Sequence, residues 1–276
     1  MSDTRPIGVF DSGVGGLTVV RELRAQLPCE SLVYLADLAN FPYGPRPQAQ
    51  VRALALDIIE HLARLDTKLV VIACNTATAA ALNVARERFD IPIVGVIAPG
   101  AQAAAAVTEC GRVAVLSTEG TRASNEYVHA LKEANPGVAV LGIAAPDLVD
   151  IVEAGEAASQ RAVDALRPLV DRAAAWGADT LVLGCTHYPL LQPALLRVVG
   201  DRQLRIVDSA ATTAARVARI LAVNRLAAGD DAHGSLELLV TAEPRRFSDA
   251  AARIFGDAAT VAPTPVAIAS SLVLAP

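Results

Sequence analysis

The 276-residue chain is 53% hydrophobic and 19% charged, which suits one large or two modest globular domains and excludes a disordered chain. Its net charge is −5 and it has no Lys/Arg cluster, so it lacks the basic footprint of a nucleic-acid-binding protein. No stretch of about eighteen apolar residues runs uninterrupted, and the N-terminus lacks the apolar core of a signal peptide, so neither a membrane span nor secretion is expected.

In chain order, Ile7–Phe10 is a short apolar strand that runs into Asp11-Ser12-Gly13-Val14-Gly15-Gly16. Leu17, Val20, Leu23 and Leu27 then recur at helical spacing. Ser31–Ala36 reads as a second strand ending at Asp37, followed by a Pro- and Gly-rich loop from Asn40 to Pro47. Val51, Leu54, Ala55, Ile58, Ile59 and Leu62 mark an amphipathic helix. An unbroken β-branched run leads to Ala73-Cys74-Asn75-Thr76 and reads as a buried strand of a parallel sheet. An Ala-rich helix from Thr78 to Arg88 and a strand at Ile93–Ile97 follow, and Pro99-Gly100 breaks the chain.

The pattern then restarts. Arg112–Leu116 is a strand that opens into the polar loop Ser117–Thr121; after it come a helix at Asn125–Glu133, a strand at Val138–Ile143 and a loop at Pro146. Helix Ser159–Ala175, with Val163, Leu166 and Val170 inward, leads to strand Thr180–Gly184 and Cys185-Thr186-His187. The offset from Asp11 to Ser117 nearly equals that from Cys74 to Cys185, as a tandem duplication of one α/β unit would give. Helix Leu190–Val199, strand Arg205–Val207, helix Thr212–Val223, strand Leu236–Val240 and helix Phe247–Phe255 complete the series. The tail from Ala258 carries no assignment. The expected fold is α/β, a tandem pair of units built on mainly parallel sheets. The first domain is discontinuous, 1–97 plus 208–276, and carries Cys74; the second, 98–207, carries Cys185.

Ligands of open α/β sheets bind beyond the carboxyl ends of the strands, which is where Cys74 and Cys185 fall. Cys29 and Cys110 have no such placement and read as core fillers. None of the four cysteines has CxxC spacing, and without a secretion signal all are expected to be reduced. Two facing thiols could form a disulfide, bind a metal, or pass protons to and from opposite faces of one carbon. The scattered histidines give the metal little support, and none is expected. A free thiol has a pKa of about 8.5, within reach of neutrality, and a symmetric pair suits a reaction that runs both ways. The Asp11–Gly16 loop lacks both the Gly-Lys-Ser/Thr of a P-loop and the last glycine of GxGxxG, although Asp37 stands about where a ribose-binding acid would. His187, two residues beyond Cys185, could set that thiol's ionisation. Spacing alone does not single out Glu153.

Val9 to Thr18, Pro42-Tyr43-Gly44, Ala73 to Ala77 and Gly184-Cys185-Thr186-His187-Tyr188-Pro189 together resemble the signature blocks of the glutamate racemase family. The blocks occur in order over nearly the whole chain, and the fold the resemblance implies, two pseudo-symmetric α/β domains with the active site in the cleft between them, agrees with the duplication. The resemblance implies a cofactor-independent isomerase of L- and D-glutamate that supplies D-glutamate for peptidoglycan in the cytoplasm, and a homodimer. It implies that Cys74 is the base toward D-glutamate, assisted by Asp11, and Cys185 the base toward L-glutamate, assisted by His187 and Glu153. It assigns Asp11, Ser12, Pro42, Tyr43, Gly44, Asn75, Thr76, Thr118, Thr121, Thr186 and His187 to substrate binding. Leu38 stands where the family often has threonine and Arg46 where lysine is common, so the substrate loop departs in detail. The short N-terminus lacks the extension of activator-dependent members and predicts activity without an activator. An aspartate racemase or related two-cysteine isomerase of the same superfamily, and a non-catalytic binding protein of the same fold, are the rival readings.

Overall fold

The structure, a computed structural model, describes residues 2–255 and 262–269. The chain opens with β1 (Ile7–Asp11), α1 (Leu17–Gln26), β2 (Leu32–Ala36), α2 (Gln48–Arg64), β3 (Leu69–Ile72), α3 (Asn75–Arg88) and β4 (Ile93–Gly95). It continues through α4 (Ile97–Val107), β5 (Arg112–Ser117), α5 (Glu119–Ser124), α6 (Glu126–Ala134), β6 (Ala139–Ala144), α7 (Asp147–Glu153), α8 (Gln160–Ala175), β7 (Thr180–Gly184), α9 (Gln192–Val199) and β8 (Arg205–Asp208). The last described elements are α10 (Ala210–Asn224), β9 (Leu236–Val240), α11 (Pro244–Phe255) and β10 (Thr264–Pro265).

The strands form two sheets, ordered β10-β9-β2-β1-β3-β4 and β6-β5-β7-β8, and the pairings in both are parallel. Four strands run in the same order in each: the second-formed strand at one side, then the first, third and fourth. This is the α/β architecture read from the sequence, with the repeat visible in its topology. β9 and α11 return to the first sheet, with Leu236 to Val240 in register against Leu32 to Ala36.

Apolar strands with both faces covered follow from residue alternation. Along β1, Ile7 and Val9 face a core shared with α1, α10 and α11, while Phe10 faces the core under α2 and α3. Along β7, Leu181 and Leu183 face the core under α8 and α9, and Val182 faces the one under α4 and α6. Every inward residue assigned to α2 and α8 is buried.

Three segments depart from the sequence reading. Pro99-Gly100 does not break the chain but lies in the first turns of α4; proline is tolerated at that end because the N–H it lacks has no helical partner there. Strand β4 therefore stops at Gly95 instead of Ile97. The polar loop after β5 is helix α5, capped by Thr118, whose hydroxyl accepts the Thr121 N–H. The segment at Pro146 starts α7, which ends at Glu153. Both helices are too short for a periodic apolar stripe to reveal. Cys29 is half-buried and Cys110 exposed, so neither fills a core; both lie in turns between elements. Of the unassigned tail from Ala258, residues 258–261 and 270–276 lie outside the described residues.

Candidate active site

The carboxyl ends of the two sheets meet around a cavity of about 210 Å³. From the first sheet come Asp11 and Ser12 after β1, Pro42, Tyr43 and Gly44 after β2, and Cys74, Asn75 and Thr76 after β3; from the second come Thr118 after β5 and Cys185, Thr186 and His187 after β7. Two predicted residues stand behind this lining: Thr121 behind Thr118 and Glu153 behind His187. Phe41, Pro45, Glu119, Pro146, Val149 and Asp150 also line the cavity and were not anticipated. Pro146 caps α7 and Val149 and Asp150 lie in it, a helix the sequence does not announce.

Cys74 is the N-cap of α3. Its backbone is extended, and its sulfur accepts the Ala77 N–H at 3.4 Å while the thiol approaches Ser12 Oγ at 3.8 Å. Burial pushes this thiol well up, and the negative charge of Asp11 adds to the effect, so Cys74 rests as a thiol. Asp11 is itself spoken for. Oδ1 accepts the Ser12 N–H at 2.8 Å, and Oδ2 accepts the Gly16 N–H at 2.5 Å and the Thr186 hydroxyl at 3.1 Å. The glycine loop thus folds around its own carboxylate rather than leaving those N–H groups for a nucleotide phosphate. A side chain at Gly15 would put its Cβ 2.5 Å from His187 Nδ1, which shows how closely the two halves approach. The nucleotide reading also loses Asp37, which accepts from Tyr43 Oη at 2.6 Å, Asn40 Nδ2 at 3.0 Å and Thr241 Oγ1 at 2.8 Å. Tyr43 therefore faces the cavity with its ring, its hydroxyl turned to Asp37.

On the opposite side, Cys185 Sγ lies 3.9 Å from His187 Nδ1, and His187 Nε2 donates to Glu153 Oε1 at 2.8 Å. Burial would pull the imidazole down, but its hydrogen bonds to Cys185 and Glu153 outweigh this and raise it to about 10. Glu153 is lowered: burial acts the other way, but His187 and then Arg246 overcome it. The result is an imidazolium beside the second sulfur.

Three hydroxyls cluster between the halves: Thr76 Oγ1 lies 2.9 Å from Thr118 Oγ1 and 3.3 Å from Thr121 Oγ1. Asn75 Oδ1 accepts from Tyr127 Oη at 2.9 Å, while its Nδ2 is buried with no partner among the described residues. An unspent buried donor in a cavity wall is a place for a ligand's acceptor. Arg46, at the departing position, donates to the Asn40 and Pro42 carbonyls and pins the loop rather than facing the cavity; Leu38 is buried in the core. Among the described residues no group of three or more His, Cys, Asp or Glu converges to hold a metal ion, and no helix is long and apolar enough to cross a membrane.

Residues 12–217 match the family described as Asp/Glu/Hydantoin racemase. The glutamate racemase of Corynebacterium diphtheriae is 46% identical over 251 residues, covering 91% of this chain and 94% of that protein. Among solved structures, a glutamate racemase isoform from Bacillus anthracis superposes with a TM-score of 0.87 at 38% identity, covering 96% of this chain and 98% of that one. A glutamate racemase from Francisella tularensis, solved in complex with D-glutamate, gives 0.88 at 27% identity over 96% and 98% of the two chains.

Proposed function

The chain belongs to the glutamate racemases, isomerases of the Asp/Glu/Hydantoin racemase family, and on that premise we propose that it interconverts L- and D-glutamate by cofactor-independent proton transfer between Cys74 and Cys185. One observation carries this reading. Two buried thiols reach a single cavity from the carboxyl ends of two separate sheets, each with its own acid–base neighbours.

In this mechanism the hydroxyls of Ser12, Thr76, Thr118 and Thr186, with the Nδ2 of Asn75, hold the substrate's carboxylates and amine between them. Thr121 supports Thr118 from behind, Pro42, Tyr43 and Gly44 close one wall, and the α-carbon sits between the sulfurs. The D-glutamate held by the Francisella tularensis relative supports the choice of ligand. The α-proton is very weakly acidic, so the carbanion needs fixed dipoles and the substrate's own ammonium in a cleft closed to water. From L-glutamate, the α-C–H bond breaks to the Cys185 thiolate, leaving its electron pair on the carbon as the carbanion, and the Cys74 thiol then delivers its proton to the opposite face. Cys185 is then the thiol and Cys74 the thiolate, so the form that has made D-glutamate is the form that accepts it. The high proton affinity of Cys74 suits this role, since its thiolate is a strong base for a weak carbon acid. Residues 1–97 with 208–276 act as one domain and 98–207 as the other; the product feeds peptidoglycan synthesis in the cytoplasm, and the working unit is a homodimer.

The test is to incubate D- and L-glutamate separately in heavy water with no added cofactor. Deuterium should enter the α-position of the product enantiomer from either start. No incorporation would favour a binding protein, and faster turnover of aspartate would move the substrate assignment.

A further inference from the structure

Glu153 is gripped from two sides. Oε1 accepts from His187 Nε2 at 2.8 Å, and Oε2 accepts from Arg246 Nη2 at 3.2 Å. The donors come from different parts of the molecule. His187 follows β7 of the second sheet, whereas Arg246 lies in the first turns of α11, anchored to the first sheet where Phe247 stacks on Tyr34 at 6.0 Å. The same guanidinium lies 5.7 Å over the Phe41 ring, and that ring stands 6.1 Å from the His187 imidazole. Nη1 is held by Glu243 at 2.7 Å, which sets the direction of the side chain.

One cation therefore touches both supports of His187: the carboxylate at its Nε2 and the aromatic ring at its flank. Arg246 is 44% exposed, so the ion pair itself contributes little stability. Its effect is orientational. A carboxylate bonded at one oxygen only is free to swing about its last torsion, and the single Nη2 bond at Oε2 removes that freedom. The titratable groups around His187 are Asp11, Cys185 and Glu153, with Arg246 and Glu243 beyond Glu153.

Resting on the racemase reading above, we propose that Arg246 is a positioning residue for the Cys185-side base. It keeps Glu153 turned to His187, holds the Phe41 loop over the imidazole, and ties α11 to α7 across the cleft.

The test compares wild type, Arg246→Met and Arg246→Lys. L- and D-glutamate have equal free energies, so kcat/KM must fall by the same factor in both directions, and asymmetry has to be read elsewhere. Arg246→Met should lower kcat/KM by about tenfold to a hundredfold, the scale of a small misplacement of a catalytic group. Its deuterium isotope effect on kcat/KM should grow for α-deuterated L-glutamate, whose proton goes to Cys185, and shrink for the D-enantiomer. Arg246→Lys should restore part of the loss. Isotope effects that stay as in wild type, or move together, would overturn the proposal. An independent readout is the downfield proton on His187 Nε2, observed by NMR in the substrate-free protein. It should shift upfield or broaden in Arg246→Met, and an unchanged resonance would also overturn the proposal. A wild type that fails to racemise glutamate would sink the underlying reading, while the resonance would still decide whether Arg246 orients Glu153.

Discussion

Tyr127 on α6 donates its hydroxyl proton to Asn75 Oδ1 on α3 at 2.9 Å, a hydrogen bond between the helices of two different sheets that leaves Asn75 Nδ2 buried and unspent. The two ends of one amide thus serve different purposes: one joins the halves of the molecule, and the other waits for a ligand.

This separates stability from binding. Asn75→Leu removes the acceptor of the Tyr127 hydroxyl on α3, with Ser209 as its other side-chain neighbour, and should cost about 1 kcal/mol, whereas adding Tyr127→Phe removes both partners and should recover most of that cost. Neither variant supplies a donor to the substrate carboxylate, so KM for glutamate should rise in both. Calorimetry and racemisation kinetics on the two proteins check this; recovery of KM in the double variant would refute the binding role.

Cys74 carries a structural duty besides its proposed chemistry, because its sulfur caps α3. Serine is a strong capping residue and alanine a poor one, so Cys74→Ala should be less stable than Cys74→Ser by about 1 kcal/mol. Both should lose net racemisation, followed as loss of optical rotation or circular dichroism. Near wild-type turnover in Cys74→Ala would remove this residue from the mechanism.

The His187–Glu153 pair makes stability depend on pH with a definite sign. An imidazole at about 6.5 in the unfolded chain and about 10 in the fold holds its proton more tightly when folded. Its contribution is complete below the unfolded value and is lost as pH rises through the folded one. His187→Gln should therefore lower the thermal midpoint more at pH 6 than at pH 10.5. Glu153 is lowered and works in reverse: its contribution is present above the ordinary carboxylate value and fades as the solution becomes acidic. Equal destabilisation by His187→Gln at the two pH values would contradict the raised imidazole.

Much of the fold was legible because its strands are unbroken apolar runs that end in polar residues, as at Asp11, Cys74 and Cys185. Helices with a clear stripe, such as α2 and α8, were equally plain. What escaped was short or locally ambiguous: α5 and α7 have too few turns for periodicity, and α4 is mostly alanine with a proline in its first turns. In the site, the thiols stood out by position, but Glu153 did not, because what marks it is contact with His187, 34 residues along the chain. Arg246 lies 93 residues from Glu153 on an ordinary amphipathic helix, and local sequence carries no sign of that pairing. The glycines of the first loop were visible, but their partner was not: the anion they wrap is the protein's own Asp11.

The return of β9 to the first sheet has a consequence for how the chain is made. Its neighbour β2 is paired with residues 204 positions further along the chain. During synthesis, β1 to β4 and the whole second sheet emerge before β9 does, so the Leu32–Ala36 edge stands open, apolar and unpaired, for most of translation. Open strand edges are templates for pairing with other chains, and contacts this distant form late. The nascent protein is therefore most exposed to aggregation along β2, and the closing of that edge by β9 is the event that ends the exposure.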